Sequence, residues 1–359
     1  MHNSIRVALA FGLGLVAIGA TWASEPARIE LVDSGNGLSR LDVSGAWPDT
    51  CPPQLLGMQF EGREVTLSAV RETAACSHIE TPYAFSSADF DTTEIWPDGG
   101  VQRVRLLVEE QPGVQSQLAG FGLVTADRGR TSMTLETGLW WAEQGGEFAA
   151  GPGLGLSIEN QSGMLSLSVM GYDTEGRATW HFGAGVLDQG LAHMELGQFE
   201  GGSGPFTRYA APVEVTLGGA VDIEVHSPTK ATLWFSQHDN ANGHLSLRPV
   251  SIVRFQFSQS AGETLLGRWL ITSDHANLRP TQWLQWTRVE ETADGFVLTG
   301  ADDQARLECR APPNETNSPP AMCRLHQADG EVIEFTEIAL RSLRGWDMNG
   351  QRVLAFRLD

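Results

Sequence analysis

Apolar and polar residues alternate with a period of two along most of this chain. The segments from Arg63 to Val70, Met164 to Met170 and Lys230 to Gln237 show the pattern clearly. Successive side chains of a β-strand point to opposite faces of the sheet, so the alternation is typical of strands with one buried face. Long stretches of helical period are missing, and the sequence therefore predicts an all-β protein.

Short segments containing Gly, Asn and Asp separate the predicted strands at intervals of roughly 8 to 12 residues. ENQSGM, YDTEGRA and QHDNANGH are examples. Gly and Asn tolerate the positive φ angles that tight hairpin turns require. The pattern indicates sandwiches or barrels whose strands are joined by hairpins.

The tripeptide G-x-W marks three places where a β-module can begin. It occurs at 45–47, 138–140 and 267–269. A chain of 359 residues also exceeds what one hydrophobic core usually serves. We therefore predict three β-modules, over 24–126, 127–260 and 261–359.

The N-terminal segment has the features of a secretory signal peptide. Arg6 precedes an apolar run over 7–20, and Thr21, Trp22 and Ala23 fit a small-x-small cleavage site. The run is shorter than the roughly 20 residues of a membrane-spanning helix, and no later segment comes closer. We expect residues 1–23 to be removed and the mature chain to be secreted or periplasmic, without a membrane span.

The chain is strongly acidic. It contains 44 Asp and Glu against 24 Lys and Arg, a formal net charge of −20, and Lys230 is its only lysine. Proteins that bind nucleic acid rely on clustered Lys and Arg to replace the counterions of the phosphates. The charge therefore argues against nucleic acid and against anionic membranes as partners.

Four cysteines fall in two pairs at opposite ends of the mature chain. Cys51 and Cys76 lie in the first module, and Cys309 and Cys323 in the third. An oxidising compartment favours disulfides, and of the three possible connectivities only the local one keeps each bridge within one module. We predict the local pairing. Neither pair has the C-x-x-C spacing of a zinc site.

Most of the chain resembles a group of secreted proteobacterial Trp/Gly-rich β-repeat proteins without an assigned activity. The resemblance lies in GLWWAEQ, GLGLSIENQSG and LSVMGYDTEGRATWHFGAG, and more loosely in the turn around Asn240, Asn242 and Gly243. Its matching residues are Gly138, Trp140, Trp141, Gly153, Gly155, Tyr172, Asp173, Gly176 and Trp180. The stretch VSGAWPDTCPPQLLGMQFEGREVTLSAV also resembles a small Ig-like domain. The resemblance implies an Ig-like sandwich followed by barrel-like or sandwich-like antiparallel modules.

Trp140 and Trp141 are the residues that bear most directly on function. Neighbouring side chains of a strand face opposite sides, so only one of the two rings enters the core. An outward ring packs against another module, stacks on a ligand such as a sugar, or stays partly exposed without a role. We predict that the outward ring, with Trp180 and the Gly-rich loop 143–153, forms a contact surface for an extracellular polymer or a partner protein.

Catalysis is the alternative to binding. No nucleophile elbow, metalloprotease helix or phosphate-binding loop is present, and the sequence indicates neither a cofactor nor a metal. Two carboxylates are able to run a glycosidase, and the acids nearest the tryptophans are Glu143, Glu147, Asp173 and Glu175. His238, Asp239 and His244 have metal-ligand chemistry, although hairpin turns also collect such residues.

Overall fold

The fold is seen in a computed structural model of the chain. The structure describes residues 26–110, 115–126, 133–143, 147–150, 153–173, 175–204, 206–256, 260–273, 281–300, 305–310 and 320–358, with the side chains of 200, 201 and 212–218 excepted. The predicted signal peptide, 1–23, lies outside these residues. Nearly all regular structure is strand, which confirms the all-β prediction. No helix among the described residues is long and apolar enough to cross a membrane.

A sandwich of two four-stranded sheets forms the first module. Its elements are β1 (Arg28–Gly35), β2 (Leu38–Trp47), β3 (Gln54–Glu61), β4 (Glu64–Val70), β5 (Thr81–Ser86), β6 (Phe90–Asp91), α1 (Thr92–Ile95), β7 (Val101–Glu109) and β8 (Gln117–Thr125). One sheet joins β1, β2, β5 and β6, and the other has the order β3-β4-β7-β8 with β4 and β7 parallel. The predicted Cys51–Cys76 disulfide is present.

The second module is a closed antiparallel barrel in which each strand pairs with the next and the last pairs with the first. Its strands are β9 (Gly138–Ala142), β10 (Gly155–Gln161), β11 (Met164–Tyr172), β12 (Ala178–Val186), β13 (Leu191–Gly201), β14 (Pro212–Ser227), β15 (Lys230–Asp239) and β16 (His244–Arg254). Eight strands enclose a space that side chains just fill. Trp140 and the inward aliphatic residues of the strands occupy this core.

A second closed barrel follows. It consists of a 3₁₀ turn (Glu263–Leu265) and the strands β17 (Gly267–Ser273), β18 (Gln282–Thr292), β19 (Gly295–Gly300), β20 (Ala305–Arg310), β21 (Met322–Gln327), β22 (Val332–Ile338), β23 (Ser342–Asp347) and β24 (Arg352–Arg357). The predicted Cys309–Cys323 disulfide joins directly opposed residues of β20 and β21, and both cysteines are buried in the barrel core.

Both barrels close in the same way. The first strand begins with a glycine at positive φ, and the tryptophan two residues later is buried and donates its indole N–H to the carbonyl four residues earlier. An arginine of the last strand, Arg254 or Arg357, lies opposite this tryptophan. G-x-W therefore begins the two barrels, as predicted. In the sandwich the prediction is wrong, since Gly45 to Trp47 ends β2, where Trp47 packs into the core.

The sandwich and the first barrel share a buried contact. The Trp234 ring of β15 stacks on Phe121 of β8 with ring centroids 4.9 Å apart, and Phe148 packs against the same ring. Arg103 of β7 reaches Glu224 of β14, with Nε 3.2 Å from Oε2. The two modules thus share one small core.

Glu136 connects the two barrels. Its carboxylate accepts hydrogen bonds from the backbone N–H groups of Leu340 at 3.2 Å and Arg341 at 3.1 Å. The hydroxyl of Thr229 donates to the carbonyl of Ile338 at 3.3 Å nearby. Burial raises the pKa of the Glu136 carboxyl. This contact fixes the second barrel to the end of the first.

Candidate functional site

The tryptophan pair lies on β9 as the alternation predicts. Trp140 is 1% exposed inside the barrel, whereas Trp141 is 39% exposed on its outer surface. Trp180, on β12, is 46% exposed. The prediction that only one ring of the pair is buried is confirmed, and Trp141 is the outward one.

Strand register brings Trp141 and Trp180 into one row across the barrel. Trp141 is opposite Gly155 of β10, Gly155 is opposite Met170 of β11, and Met170 is opposite Trp180. The Trp180 ring then meets Phe199 of β13 with centroids 5.1 Å apart. Three strand spacings separate Trp141 from Trp180, which is about 14 Å along the sheet. The row therefore presents aromatic rings at both ends of an elongated surface.

A groove of about 1100 Å³ follows this row. Its lining residues come from β9 to β13, from the two residues before β10 and from the turn after β11; they are Trp141, Gly153, Leu154, Gly155, Met170, Gly171, Tyr172, Asp173, Arg177, Ala178, Thr179, Trp180, Gln198 and Phe199. Gly155 leaves a gap in the row between Trp141 and Met170, because it has no side chain. An added Cβ there would lie 3.5 Å from the Met170 Cε, an ordinary contact. The glycine is therefore not required by packing, and its absence of a side chain keeps the groove open.

The second barrel gives an internal comparison. There Leu270 follows the buried Trp269, as Trp141 follows Trp140, and the residue opposite Leu270 is Trp283. Trp283 thus occupies the position that Gly155 holds in the first barrel, and its ring is 67% exposed. The barrel architecture accepts a large side chain at this position, so the glycine beside Trp141 is not imposed by the fold.

The charged residues of the groove form a compact turn. The Asp173 Oδ1 accepts the backbone N–H groups of Glu175 at 3.0 Å and Arg177 at 2.8 Å, and its Oδ2 lies 2.7 Å from the Arg177 Nε. Arg177 also pairs with Glu175 at 3.1 Å. The hydrogen bond from the Arg177 backbone N–H and the guanidinium together lower the pKa of the Asp173 carboxyl. Asp173 is thus an ionised group that organises the turn between β11 and β12.

The position of the Gly-rich loop differs from the one we predicted. We expected 143–153 to lie beside the exposed tryptophan, but the described part of it is anchored elsewhere. Phe148 packs on Trp234 between the barrel and the sandwich, with ring centroids 5.2 Å apart, and Ala150 donates its backbone N–H to the Glu143 carbonyl. The apolar Phe148 ring packs there against the buried Trp234 ring. Gly153 alone of the loop's described residues lines the groove, while 144–146 and 151–152 lie outside the described residues.

The other acids named by the sequence do not converge on the groove. Glu143 forms an ion pair with Lys230 at 3.0 Å, and Glu147 is exposed at the far end of the loop. Asp173 is the one carboxylate among the described lining residues. Of the residues that the sequence proposed for binding or catalysis, the structure brings together Trp141, Trp180 and Asp173.

The two candidate metal sites have other roles. Asp239 uses its carboxylate to accept hydrogen bonds from the Ala241 backbone at 2.9 Å and the Asn242 amide at 2.7 Å, which makes the hairpin turn. Among the described residues, Asp49 and the Cys51–Cys76 pair form a group with ligand spacing, but both sulfurs are bonded to each other. A disulfide offers no thiolate to a metal.

Sequence reasoning missed Met170, Phe199 and the role of Gly155. Met170 and Phe199 read as ordinary outward positions of alternating strands, and only the register places them beside Trp180. Comparison of the sequence with protein-family models and with curated proteins finds no match to either. The architecture and the groove therefore define the chain as a sandwich with two eight-stranded antiparallel barrels, the first of which has an aromatic groove.

Proposed function

We propose that this protein is a secreted or periplasmic binding protein, without catalytic activity, whose groove binds an extracellular or cell-wall polysaccharide. The observation that carries the proposal is the row of Trp141, Trp180 and Phe199 around the opening left by Gly155. The signal-peptide pattern and the two disulfides support the compartment.

Aromatic rings suit this ligand because the C–H faces of a sugar ring stack on them while its hydroxyls stay hydrated. Trp141 and Trp180 are separated by about 14 Å of sheet, so a ligand that touches both must be longer than one sugar ring. Large apolar rings that remain this exposed in a concave surface are typical of binding sites. The geometry favours a linear chain lying across the strands.

An extended peptide fits the surface less well. Peptides that bind sheets usually add a strand to a free edge and use backbone hydrogen bonds. Each of the strands β9 to β12 already pairs on both sides within the closed barrel. The ladder between β12 and β13 is short, with His181 opposite Gln198 and Phe182 opposite Gly197. Among the described residues of β9 to β12, no strand is therefore free along its whole length, and recognition at the groove depends mainly on side chains.

Hydrolysis also has less support than binding. A glycosidase uses two carboxyl groups about 5 to 10 Å apart, one of them with a raised pKa. Asp173 is one carboxylate, its pKa is lowered, and its oxygens are occupied by the turn. The groove thus has the surface for holding a sugar chain, and the described lining residues do not supply the acid pair for cleaving it.

The test is a pull-down of the mature protein on insoluble polysaccharides, with two groove variants and one control. Trp141→Ala removes a stacking ring, and Gly155→Val fills the opening with a side chain that strands favour. We expect each to weaken binding at least tenfold, about 1.4 kcal/mol, with unchanged circular dichroism. Trp283→Ala, which removes the exposed ring of the second barrel, should bind normally.

Three results would contradict the proposal. The first is that the wild-type protein binds no polysaccharide. The second is that the groove variants bind as well as Trp283→Ala does. The third is retention of a proline-rich peptide in place of any polysaccharide, lost in the same variants, which would assign the groove to a protein partner. Release of soluble sugars during the assay would instead favour the hydrolase.

A further inference from the structure

The charge in the groove is balanced. Asp173 and Arg177 are the charged residues among its described lining side chains, and they face each other at 2.7 Å. Glu175 pairs with the same guanidinium at 3.1 Å, so the turn as a whole carries an excess of one negative charge. Among its described lining residues, the groove therefore offers an anionic ligand no cation that lacks a carboxylate partner.

The chain as a whole is acidic. The chain carries a formal net charge of −20, and its one lysine, Lys230, lies 3.0 Å from Glu143. Sites for acidic polymers present clustered Arg or Lys toward the ligand, and like charges at an interface oppose association. A polyanion approaching the groove would meet repulsion that stacking on Trp141 must overcome.

The remaining polar groups are neutral. Thr179 and Gln198 line the groove beside Trp180 and Phe199. A hydroxyl and an amide each donate and accept hydrogen bonds, which matches the hydroxyl groups of a sugar. The Asp173 oxygens, in contrast, already accept three hydrogen bonds within the turn.

From this charge distribution we propose that the groove selects an uncharged polysaccharide and excludes uronate or sulfated polymers. The proposal rests on the proposed function, since it names the class of polymer that the same groove takes. Selection arises from the neutral lining and the net negative charge of the chain, while the rings supply the attraction common to all sugars.

Affinity electrophoresis of the mature protein tests the selection. The gels contain a neutral polymer (a β-glucan, xylan or mannan), an anionic one (alginate or polygalacturonate), or cationic chitosan. We expect at least one neutral polymer to retard the protein tenfold more strongly than either anionic one, with little dependence on salt, and the retardation to disappear in Trp141→Ala. Retardation by chitosan should decrease with salt and persist in Trp141→Ala, because it reports surface charge.

A gain-of-charge variant makes the test specific. Ala178 is exposed and lines the groove, so Ala178→Lys places a new cation there. We expect this variant to gain salt-sensitive binding to polygalacturonate. Equal retardation of variant and wild type by that polymer would show that local charge does not set selection, and would overturn the inference.

The two proposals fail in different ways. If an anionic polymer binds as tightly as any neutral one and Trp141→Ala abolishes it, the groove is a polysaccharide site and the inference about charge is wrong. If no polymer binds in a manner that depends on Trp141, the proposed function itself is wrong.

Discussion

Arg103 offers a quantitative test of how the sandwich is joined to the first barrel. Its guanidinium lies 3.2 Å from Glu224 and 3.3 Å from Glu64, and it stacks over the Trp234 ring at 4.7 Å. Glu224 is 1% exposed and also accepts the Trp234 indole N–H at 3.2 Å. Arg103→Met removes the cation and keeps most of the side-chain volume.

The expected loss comes mainly from the carboxylate that is left behind. Removing one partner of a buried ion pair costs about 3 to 5 kcal/mol, because the remaining charge loses its cation at a site from which water is largely excluded. Loss of the cation–π contact with Trp234 adds about 1 to 2 kcal/mol at a desolvated site. We therefore expect Arg103→Met to lower the free energy of unfolding of the sandwich–barrel unit by at least about 3 kcal/mol.

Urea unfolding followed by tryptophan fluorescence measures the change, because Trp234 lies in the contact. The single variants Arg103→Met and Glu224→Gln and the double variant complete a double-mutant cycle. We expect the double variant to be more stable than Arg103→Met alone, since it contains no unpaired buried charge. Arg40→Met is the matched control: the Arg40 pair with Asp42 is more than a third exposed on each side and contributes about 0 to 1 kcal/mol.

Two results would refute this reasoning. The first is a loss for Arg103→Met no larger than that for Arg40→Met. The second is a double variant that is less stable than both single variants, which would mean that Glu224 is stabilised by groups other than Arg103. Either result would mean that the ion pair does not stabilise the interface, and that the packing of the Phe121 and Trp234 rings does.

Three further predictions concern the barrels; the first two are measured by chemical or thermal unfolding, and the third by limited proteolysis. Gly185→Ala should cost about 1 to 3 kcal/mol, because its Cβ would lie 2.1 Å from the backbone oxygen of His193, whereas Gly57→Ala, with no atom within 4 Å, should cost far less. The hydrogen bond with Asp222 raises the pKa of His193 above its usual 6.5. We therefore expect Asp222→Asn to be less stable than the wild type below pH 6.5, and the two stabilities to converge as the pH rises through the raised pKa. A difference in stability that does not depend on pH would contradict the assignment. Glu136→Ala leaves two backbone N–H groups of the second barrel without their acceptor and should therefore speed proteolysis between the barrels. A variant that is cleaved at the same sites and rate as the wild type would contradict this prediction.

Local rules account for the part of this protein that the sequence predicts. Alternation requires strands, and a strand that carries Trp140 and Trp141 must bury one ring and expose the other. Trp283 and Trp286, three residues apart on β18, obey the same rule, with Trp283 exposed and Trp286 buried. The disulfide pairing also follows from chain order, because cysteines that are close in sequence lie within one module.

Contacts between residues that are distant in sequence could not be predicted in this way, because no local sequence pattern specifies them. The tripeptide at Gly45 looks like those that begin the barrels, yet it ends a strand, since its role depends on which strands surround it. Phe148 lies in a loop of small residues, and it packs on the Trp234 ring of β15, against which the docked sandwich places Phe121.

The groove shows most clearly how far the sequence alone could predict the site. Sequence identified Trp141 and Trp180 as separate residues 39 positions apart, but the alignment of Gly155 between Trp141 and Met170 depends on the register of three neighbouring strands. A shift of one residue in any of these pairings would turn the row inward. Register is set by the packing of the whole barrel core, so the tertiary structure alone decides that these rings share a surface and that a glycine opens it.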